Sequence, residues 1–169
     1  VYKRQASICG PKARDVLARL TDDIDLSPEA LPHMAVTAGT VAGLPARVFR
    51  VSFTGELSFE INVPSRHGPA LWTALMAAGA AFDITPYGTE TMHVLRAEKG
   101  FIIVGQETDG SVSPNDLGMD WIVSKTKAEF IGKRGLARSD LARGGRKQLV
   151  GLLASDPAVV LPELSLIHI

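Results

Sequence analysis

The sequence predicts an α+β fold, because strand-like and helix-like segments follow one another with hairpin turns between neighbouring strands. Apolar and polar residues alternate over 59–63, which is the period of a half-buried strand. Apolar residues recur at helical spacing over 66–78, and a Gly-Leu-Pro turn at 43–45 separates two β-rich runs. With 46% hydrophobic and 21% charged residues, the composition is that of an ordinary globular protein.

The first elements are a helix and a hairpin. Gly10-Pro11 opens a helix that carries an apolar stripe and closes at the acidic stretch 22–25; the stripe consists of Ala13, Val16, Leu17 and Leu20. Two β-rich runs within 40–51 then predict a hairpin.

Residues 48–63 predict two extended segments around the turn Thr54-Gly55-Glu56. Strand alternation assigns Phe59, Ile61 and Val63 to one face and Ser58, Glu60 and Asn62 to the other. Glu60 therefore lies on a polar face beside a turn, where a ligand can reach its carboxylate.

Two longer helices follow. Ser65 after Pro64 predicts an N-cap for a helix over 66–78 that ends at Gly79, with four side chains facing inward, Leu71, Trp72, Leu75 and Met76. A second helix is predicted over 87–99, with Gly100 as its stop.

The last third of the chain predicts shorter elements. The apolar segments 101–104 and 121–123 predict buried strands, and the basic segment 131–141 predicts a helix. Gly144-Gly145 predicts a domain boundary, because the apolar run 149–153 after it predicts a new strand.

The two ends of the chain match a sequencing adaptor. The DNA string CTGTCTCTTATACACATC encodes residues 164–169, LSLIHI, and its reverse complement encodes residues 1–5, VYKRQ, after an aspartate. We therefore interpret both ends as adaptor-derived and take 6–163 as the native part. Without Lys3 and Arg4 the 18 basic residues fall to 16, against 18 acidic ones, a net charge of about −2.

Charge and composition argue against several function classes. A net charge near zero does not suggest a nucleic-acid partner, and the basic stretch 125–147 is typical of a solvated helix face and linker; the alternative is a docking surface for an anionic ligand tail or an acidic partner. A single Cys9 excludes an internal disulfide, and four histidines without ligand spacing argue against a metal site. No segment has the length of a membrane span and no secretory signal is visible, so we expect a cytoplasmic protein without a membrane partner.

Four ordered motifs resemble the aminomethyltransferase family typified by the glycine cleavage T-protein. They are FTGELSFEI, LRAEKGF, VSPNDLGMDW and FIGKRGL, and the resemblance in which they occur covers essentially all of 6–163. The family branch that they resemble most is the folate-binding C-terminal part of the alpha subunit of heterotetrameric sarcosine oxidase. The resemblance implies a T-protein-like folate domain over 6–143, and the start of a C-terminal barrel lobe over 144–163.

The resemblance also assigns residues. The second Glu of the family motif, here Glu60, holds the pterin ring, whose exocyclic amine and ring N–H match a carboxylate as two parallel donors. Phe53 stands where the family usually has Tyr, so it offers a stacking surface without the hydroxyl. Glu56 fixes the turn. Met92 replaces an Arg that anchors the substrate in the T-protein, which favours the sarcosine oxidase branch. The family's catalytic Asp does not fall within 6–163, so no catalytic residue is assigned.

On this reading the chain positions tetrahydrofolate to accept the one-carbon unit from oxidative demethylation of sarcosine as methylenetetrahydrofolate. The resemblance further implies that FAD, FMN and NAD bind elsewhere in an assembled enzyme whose further subunits are beta, gamma and delta. The 6–163 portion alone is expected to be inactive.

Two alternatives remain open. One is an aminomethyltransferase or a relative of dimethylglycine dehydrogenase. The other is a non-enzymatic folate-binding protein of iron–sulfur assembly, whose K-G-C-x-x-G-Q-E run resembles residues 99–107 here, although this chain has one more residue and no Cys.

Overall fold

The computed structural model describes residues 3–160, which divide into two compact units after Ile102. The first unit contains a four-stranded sheet with helices α1 (Ala13–Ala18), α2 (Gly68–Gly79) and α3 (Thr89–Glu98). The second unit contains two short helices, α4 (Lys133–Leu136) and α5 (Ser139–Ala142). Helices combined with an antiparallel sheet confirm the predicted α+β class.

The sheet has the strand order β1-β4-β3-β2 and is antiparallel throughout. Its strands are β1 (Lys3–Cys9), β2 (Val36–Val41), β3 (Leu44–Phe49) and β4 (Ser58–Pro64). Ile61 of β4 is opposite Ala6 on one side and Val48 on the other. β4 is therefore a central strand with partners on both edges.

The core lies on the sheet face that α1 and α2 cover. Phe59, Ile61 and Val63 are almost completely buried there, as the strand alternation predicted. Helix side chains pack onto the same cluster, chiefly Val16, Leu17, Leu71 and Leu75. Fully burying one such side chain stabilises the fold by about 1.5–3 kcal/mol, so this cluster holds the sheet and its helices together.

The predicted hairpin is confirmed, but its first strand begins at Val36, before the predicted range of 40–51, and its turn also lies earlier than predicted. β2 and β3 pair in register, with Val41 opposite Leu44. The two turn residues are Ala42 and Gly43, with φ of 53° and 72°. A two-residue hairpin turn of this kind needs positive φ at both positions, which Pro45 of the predicted turn cannot adopt.

α2 differs from its prediction at both its start and its inner face. A 3-10 turn over Ser65–His67 precedes the helix, and Ser65 makes no capping hydrogen bond. Leu71 and Leu75 are buried as predicted, whereas Trp72 is 51% exposed. Trp72 lies one residue, or about 100°, around the helix from Leu71, so it points away from the core.

β1 was not predicted. It includes residues 3–5, three of the five residues interpreted as adaptor-derived, and pairs along its whole length with β4. The adaptor interpretation concerns the DNA and stays a prediction; residues 164–169 lie outside the described residues. The predicted boundary at Gly144-Gly145 and the barrel lobe also stay predictions.

The predicted strand over 101–104 is wrong. Gly100 with φ of 72° ends α3, and the Phe101 N–H then donates to the Arg96 carbonyl at 2.8 Å. The Arg96 guanidinium donates to the Phe101 carbonyl at 3.1 Å. Both backbone groups of Phe101 therefore close the helix end, and neither is free for a strand ladder.

The predicted strands over 121–123 and 149–153 are wrong as well. A 3-10 helix over Asp120–Ile122 uses the Ile122 and Val123 N–H groups for bonds to Met119 and Asp120. The second unit has no strand among its described residues, so 149–153 has no ladder partner there. The predicted helix over 131–141 is divided into α4 and α5, because Arg138 between them is extended with ψ of 142°.

The second unit is held by one buried ion pair. Asp116 accepts from Arg146 Nε at 2.8 Å and Nη2 at 2.7 Å, and from the Ser113 N–H at 2.7 Å. These bonds, first those from Arg146, hold the pKa of the Asp116 carboxyl well below its usual range. A cavity of about 420 Å³ lies beside the pair. The same guanidinium also donates to the Ser111 and Asp140 carbonyls and so joins three segments of this unit.

Within residues 3–160, no helix is long and apolar enough to cross a membrane. The described residues also contain no group of three His, Cys, Asp or Glu side chains that could hold a metal ion.

Candidate functional site

The turn Thr54-Gly55-Glu56 lies in the segment that connects β3 to β4. Thr54 is 3% exposed, and its hydroxyl accepts weakly from the Glu56 N–H at 3.4 Å. Gly55 has φ of 80°, a left-handed conformation that side chains with a Cβ adopt only at a cost. The sequence therefore folds this way because a glycine occupies the one position of the turn with positive φ.

The C-terminal end of α3 packs against this turn. Lys99 Nζ lies 2.8 Å from Glu56 Oε1, and this hydrogen bond raises the pKa of the Lys99 ammonium. A Cβ on Gly55 would lie only 2.6 Å from Cβ and Cγ of Lys99. Glu56 thus has a protein partner and ties the turn to α3. From the sequence, Glu56 was assigned to the turn, but Lys99 was not identified as its partner. Glu56 belongs to the motif FTGELSFEI and Lys99 to the motif LRAEKGF.

Glu60 is the third residue of β4 and lies between Ser7 of β1 and Phe49 of β3. It is half-buried, on the sheet face opposite Phe59 and Ile61. Among the described residues no hydrogen bond or ion pair engages its carboxylate, in contrast to that of Glu56. A carboxylate fixed on a central strand with its oxygens unused can accept two parallel N–H donors from a ligand.

Phe53 precedes the turn and is 40% exposed. Its ring meets the His93 imidazole of α3 edge to face, with centroids 6.3 Å apart and planes at 78°. This contact fixes one side of the phenyl ring and leaves part of it accessible to a flat ligand. In the sequence His93 has the pattern of an ordinary helix residue, so this contact was missed.

The Cys9 thiol at the C-terminal end of β1 contacts the Tyr87 hydroxyl. Cys9 Sγ lies 2.9 Å from the Tyr87 hydroxyl. Burial, and then the hydrogen bond to Cys9, raise the pKa of Tyr87 above its ordinary value. A cavity of about 250 Å³ beside the pair has a largely apolar lining that includes Trp72, Ile84 and Met92. Met92 therefore lines an apolar cavity.

Most of the chain matches one protein family. Residues 3–127 match the family model described as the GCVT N-terminal domain. The chain is 53% identical over 158 residues to the sarcosine oxidase subunit alpha of Corynebacterium sp. (strain U-96), covering 93% of this chain and 16% of that protein. The sarcosine oxidase subunit alpha of Rhizobium meliloti (strain 1021) is 42% identical over 155 residues, covering 90% of this chain and 16% of that protein.

Similarity extends to a shorter type of relative. The aminomethyltransferase of Chlorobaculum parvum is 37% identical over 150 residues, covering 89% of this chain and 40% of that protein. The chain thus spans about 16% of the length of the sarcosine oxidase subunits and less than half of this aminomethyltransferase. Because one family model matches well over half of its residues, the chain belongs to the family of the GCVT N-terminal domain.

Proposed function

We propose that this chain is the tetrahydrofolate-binding part of a sarcosine oxidase alpha subunit. In this function it holds folate as the acceptor of the one-carbon unit released by oxidative demethylation of sarcosine. The observation that carries the proposal is the Glu60 carboxylate, which is fixed on a central strand within the family motif and has no protein partner among the described residues.

The residues present fit a pterin. Glu60 offers two acceptor oxygens, which suit the exocyclic amine and the adjacent ring N–H of the pterin. Phe53 offers a partly exposed ring that His93 holds in place. Glu56 does not compete for the ligand, because Lys99 already engages it. These side chains bind and orient the acceptor, and the proposal assigns them no bond-making step.

Met92 supports the sarcosine oxidase branch over an aminomethyltransferase. In this chain the Met92 side chain lines an apolar cavity together with Trp72 and Ile84, and it provides no cation for a substrate. Placing a guanidinium among these side chains without a partner would carry a desolvation cost. Product analysis on the assembled enzyme that contains this chain separates the two functions. With sarcosine, oxygen and tetrahydrofolate it should yield methylenetetrahydrofolate, and without folate it should yield formaldehyde.

The proposal is tested by Glu60→Gln. The amide keeps the size of the side chain but replaces one acceptor oxygen by an NH2 donor. This NH2 group would then lie opposite a pterin N–H, and two donors cannot form a hydrogen bond with each other. We expect the affinity for tetrahydrofolate, measured by calorimetry under argon, to fall by about 1–3 kcal/mol, or about 5- to 150-fold.

Glu29→Gln is the matched control, because Glu29 is an exposed carboxylate outside the sheet. It should bind folate as the wild type does, and both variants should keep the wild-type circular dichroism spectrum. Equal affinities of wild type and Glu60→Gln would refute the assignment of Glu60.

A further inference from the structure

Two arginines converge on one buried ring on the core side of the sheet. The guanidinium carbon of Arg14, in α1, lies 5.3 Å from the centroid of the Phe59 ring. That of Arg50, just after β3, lies 5.6 Å from the same centroid. Phe59 itself has no solvent exposure. A ring face attracts one cation by about 0.5–2 kcal/mol, but it does not neutralise the charge of either arginine.

No carboxylate balances this pair within residues 3–160. Neither Arg14 nor Arg50 forms an ion pair there, and Arg50 donates a single long hydrogen bond of 3.3 Å to the Ser58 carbonyl. Arg14 Nη1 is buried without a partner. The Ser52 hydroxyl, two residues after Arg50, is buried without a partner as well. Buried donors of this kind are costly unless an acceptor meets them.

Electrostatics point in the same direction. Burial, and then the positive charge of Arg14, lower the pKa of the Arg50 guanidinium from its ordinary value. Arg146, a largely buried arginine of the second unit, has a carboxylate partner in Asp116 at 2.7 Å. The half-buried Arg14 and Arg50 thus lack the carboxylate partner that Arg146 has in Asp116.

We propose that Arg14 and Arg50 form a binding site for a small carboxylate. A planar anion with two oxygens matches the planar guanidinium forks, and its charge offsets their mutual repulsion. Because two cations repel an ammonium group, the site should favour a simple carboxylate such as acetate over an amino acid such as glycine. Phe59 and Glu60 are neighbours on β4 and point to opposite faces, so this site is separate from that of Glu60 and does not rest on the proposed function.

The test follows the Nε–H signals of the arginines by NMR while sodium acetate is added at constant ionic strength. The Arg14 and Arg50 signals should shift and saturate, with half-saturation on the order of 1–10 mM for a ligand of this size. Glycine should need at least about tenfold more to reach the same shift.

Arg19 is the matched control within the same protein. Its guanidinium stacks on Phe82 at 4.4 Å, but it is exposed and has no second arginine on its ring. The Nε–H chemical shift of Arg19 should change gradually with acetate concentration and reach no plateau. Arg14→Leu keeps apolar cover over Phe59 and should abolish the acetate response of Arg50, whereas Arg19→Leu should leave that response unchanged.

The wild-type titration alone decides the question if Arg14→Leu fails to fold. Signals of Arg14 and Arg50 that drift as that of Arg19 does would overturn the proposal. So would a glycine response equal to that of acetate, since it would mean that the two charges do not act together on the ligand.

Discussion

Gly55→Ala should destabilise the first unit by about 3 kcal/mol. Gly55 has φ of 80°, which costs a residue with a Cβ about 1–2 kcal/mol. The new Cβ would also lie 2.6 Å from Cβ and Cγ of Lys99, atoms too near the backbone to move freely. Such overpacking costs about 1–3 kcal/mol, and the lower entropy of the unfolded alanine chain offsets about 0.4–1 kcal/mol.

Gly43→Ala separates these contributions. Gly43 has a similar φ of 72°, but a Cβ at this position would have no atom of residues 3–160 within 4 Å other than those of its chain neighbours. Only the conformational cost remains there, so we expect a loss of about 1 kcal/mol. The difference of about 2 kcal/mol between the two variants measures the close packing of the turn against Lys99.

Urea unfolding followed by tryptophan fluorescence gives both values. The chain has two tryptophans, Trp72 in the first unit and Trp121 in the second, so a Trp121→Phe background reports the first unit alone. The slopes of the unfolding curves should be equal, which makes the midpoints comparable. If Gly55→Ala and Gly43→Ala lose the same stability within about 0.5 kcal/mol, the turn is not held against Lys99 and the reasoning fails.

Two further changes test the packing of each unit. Because folding lowers the pKa of Asp116, the ionised carboxylate stabilises the second unit above about pH 4, and this stabilisation is lost as the pH falls further. Asp116→Asn should therefore weaken the acid dependence of the unfolding that Trp121 fluorescence reports. Substitution of the exposed Asp120 by Asn should leave that dependence unchanged. Leu71→Ala should cost the first unit about 2–5 kcal/mol in urea unfolding because Leu71 is 1% exposed, whereas Ala substitution of the exposed Leu153 should leave that unit unchanged.

The sequence predicted those elements whose signal is local. Strand alternation placed Phe59 and Ile61 in the core and Glu60 on the other face, because the period of two residues is set by the backbone itself. Helical spacing and the glycine stops placed α2 and α3 to within two residues at most ends. The hairpin was also found, but its first strand begins at Val36, before the predicted range of 40–51, and its turn consists of other residues than those predicted.

The errors fall where tertiary context decides. The apolar segments 101–104 and 121–123 look like strands in isolation, but their backbone groups bond to a helix end and to a 3-10 turn. The contacts of Glu56 with Lys99 and of Phe53 with His93 join residues about 40 positions apart. No periodicity in one sequence reports such pairs, so this part of the site required the structure.

The placement of Glu60 depends on residues that do not touch its carboxylate. A slip of β4 by one residue would turn Glu60 into the core and Phe59 out of it, so the register of this strand is the critical variable. β1 and β3 set that register from both sides, with Glu60 between Ser7 and Phe49. The turn before β4 sets where the strand begins, and the bond of Glu56 to Lys99 fixes that turn on α3. The two glutamates of the motif are therefore linked through the strand: Glu56 ties the turn to Lys99, and the strand that starts from this turn carries Glu60 on the sheet face opposite the core.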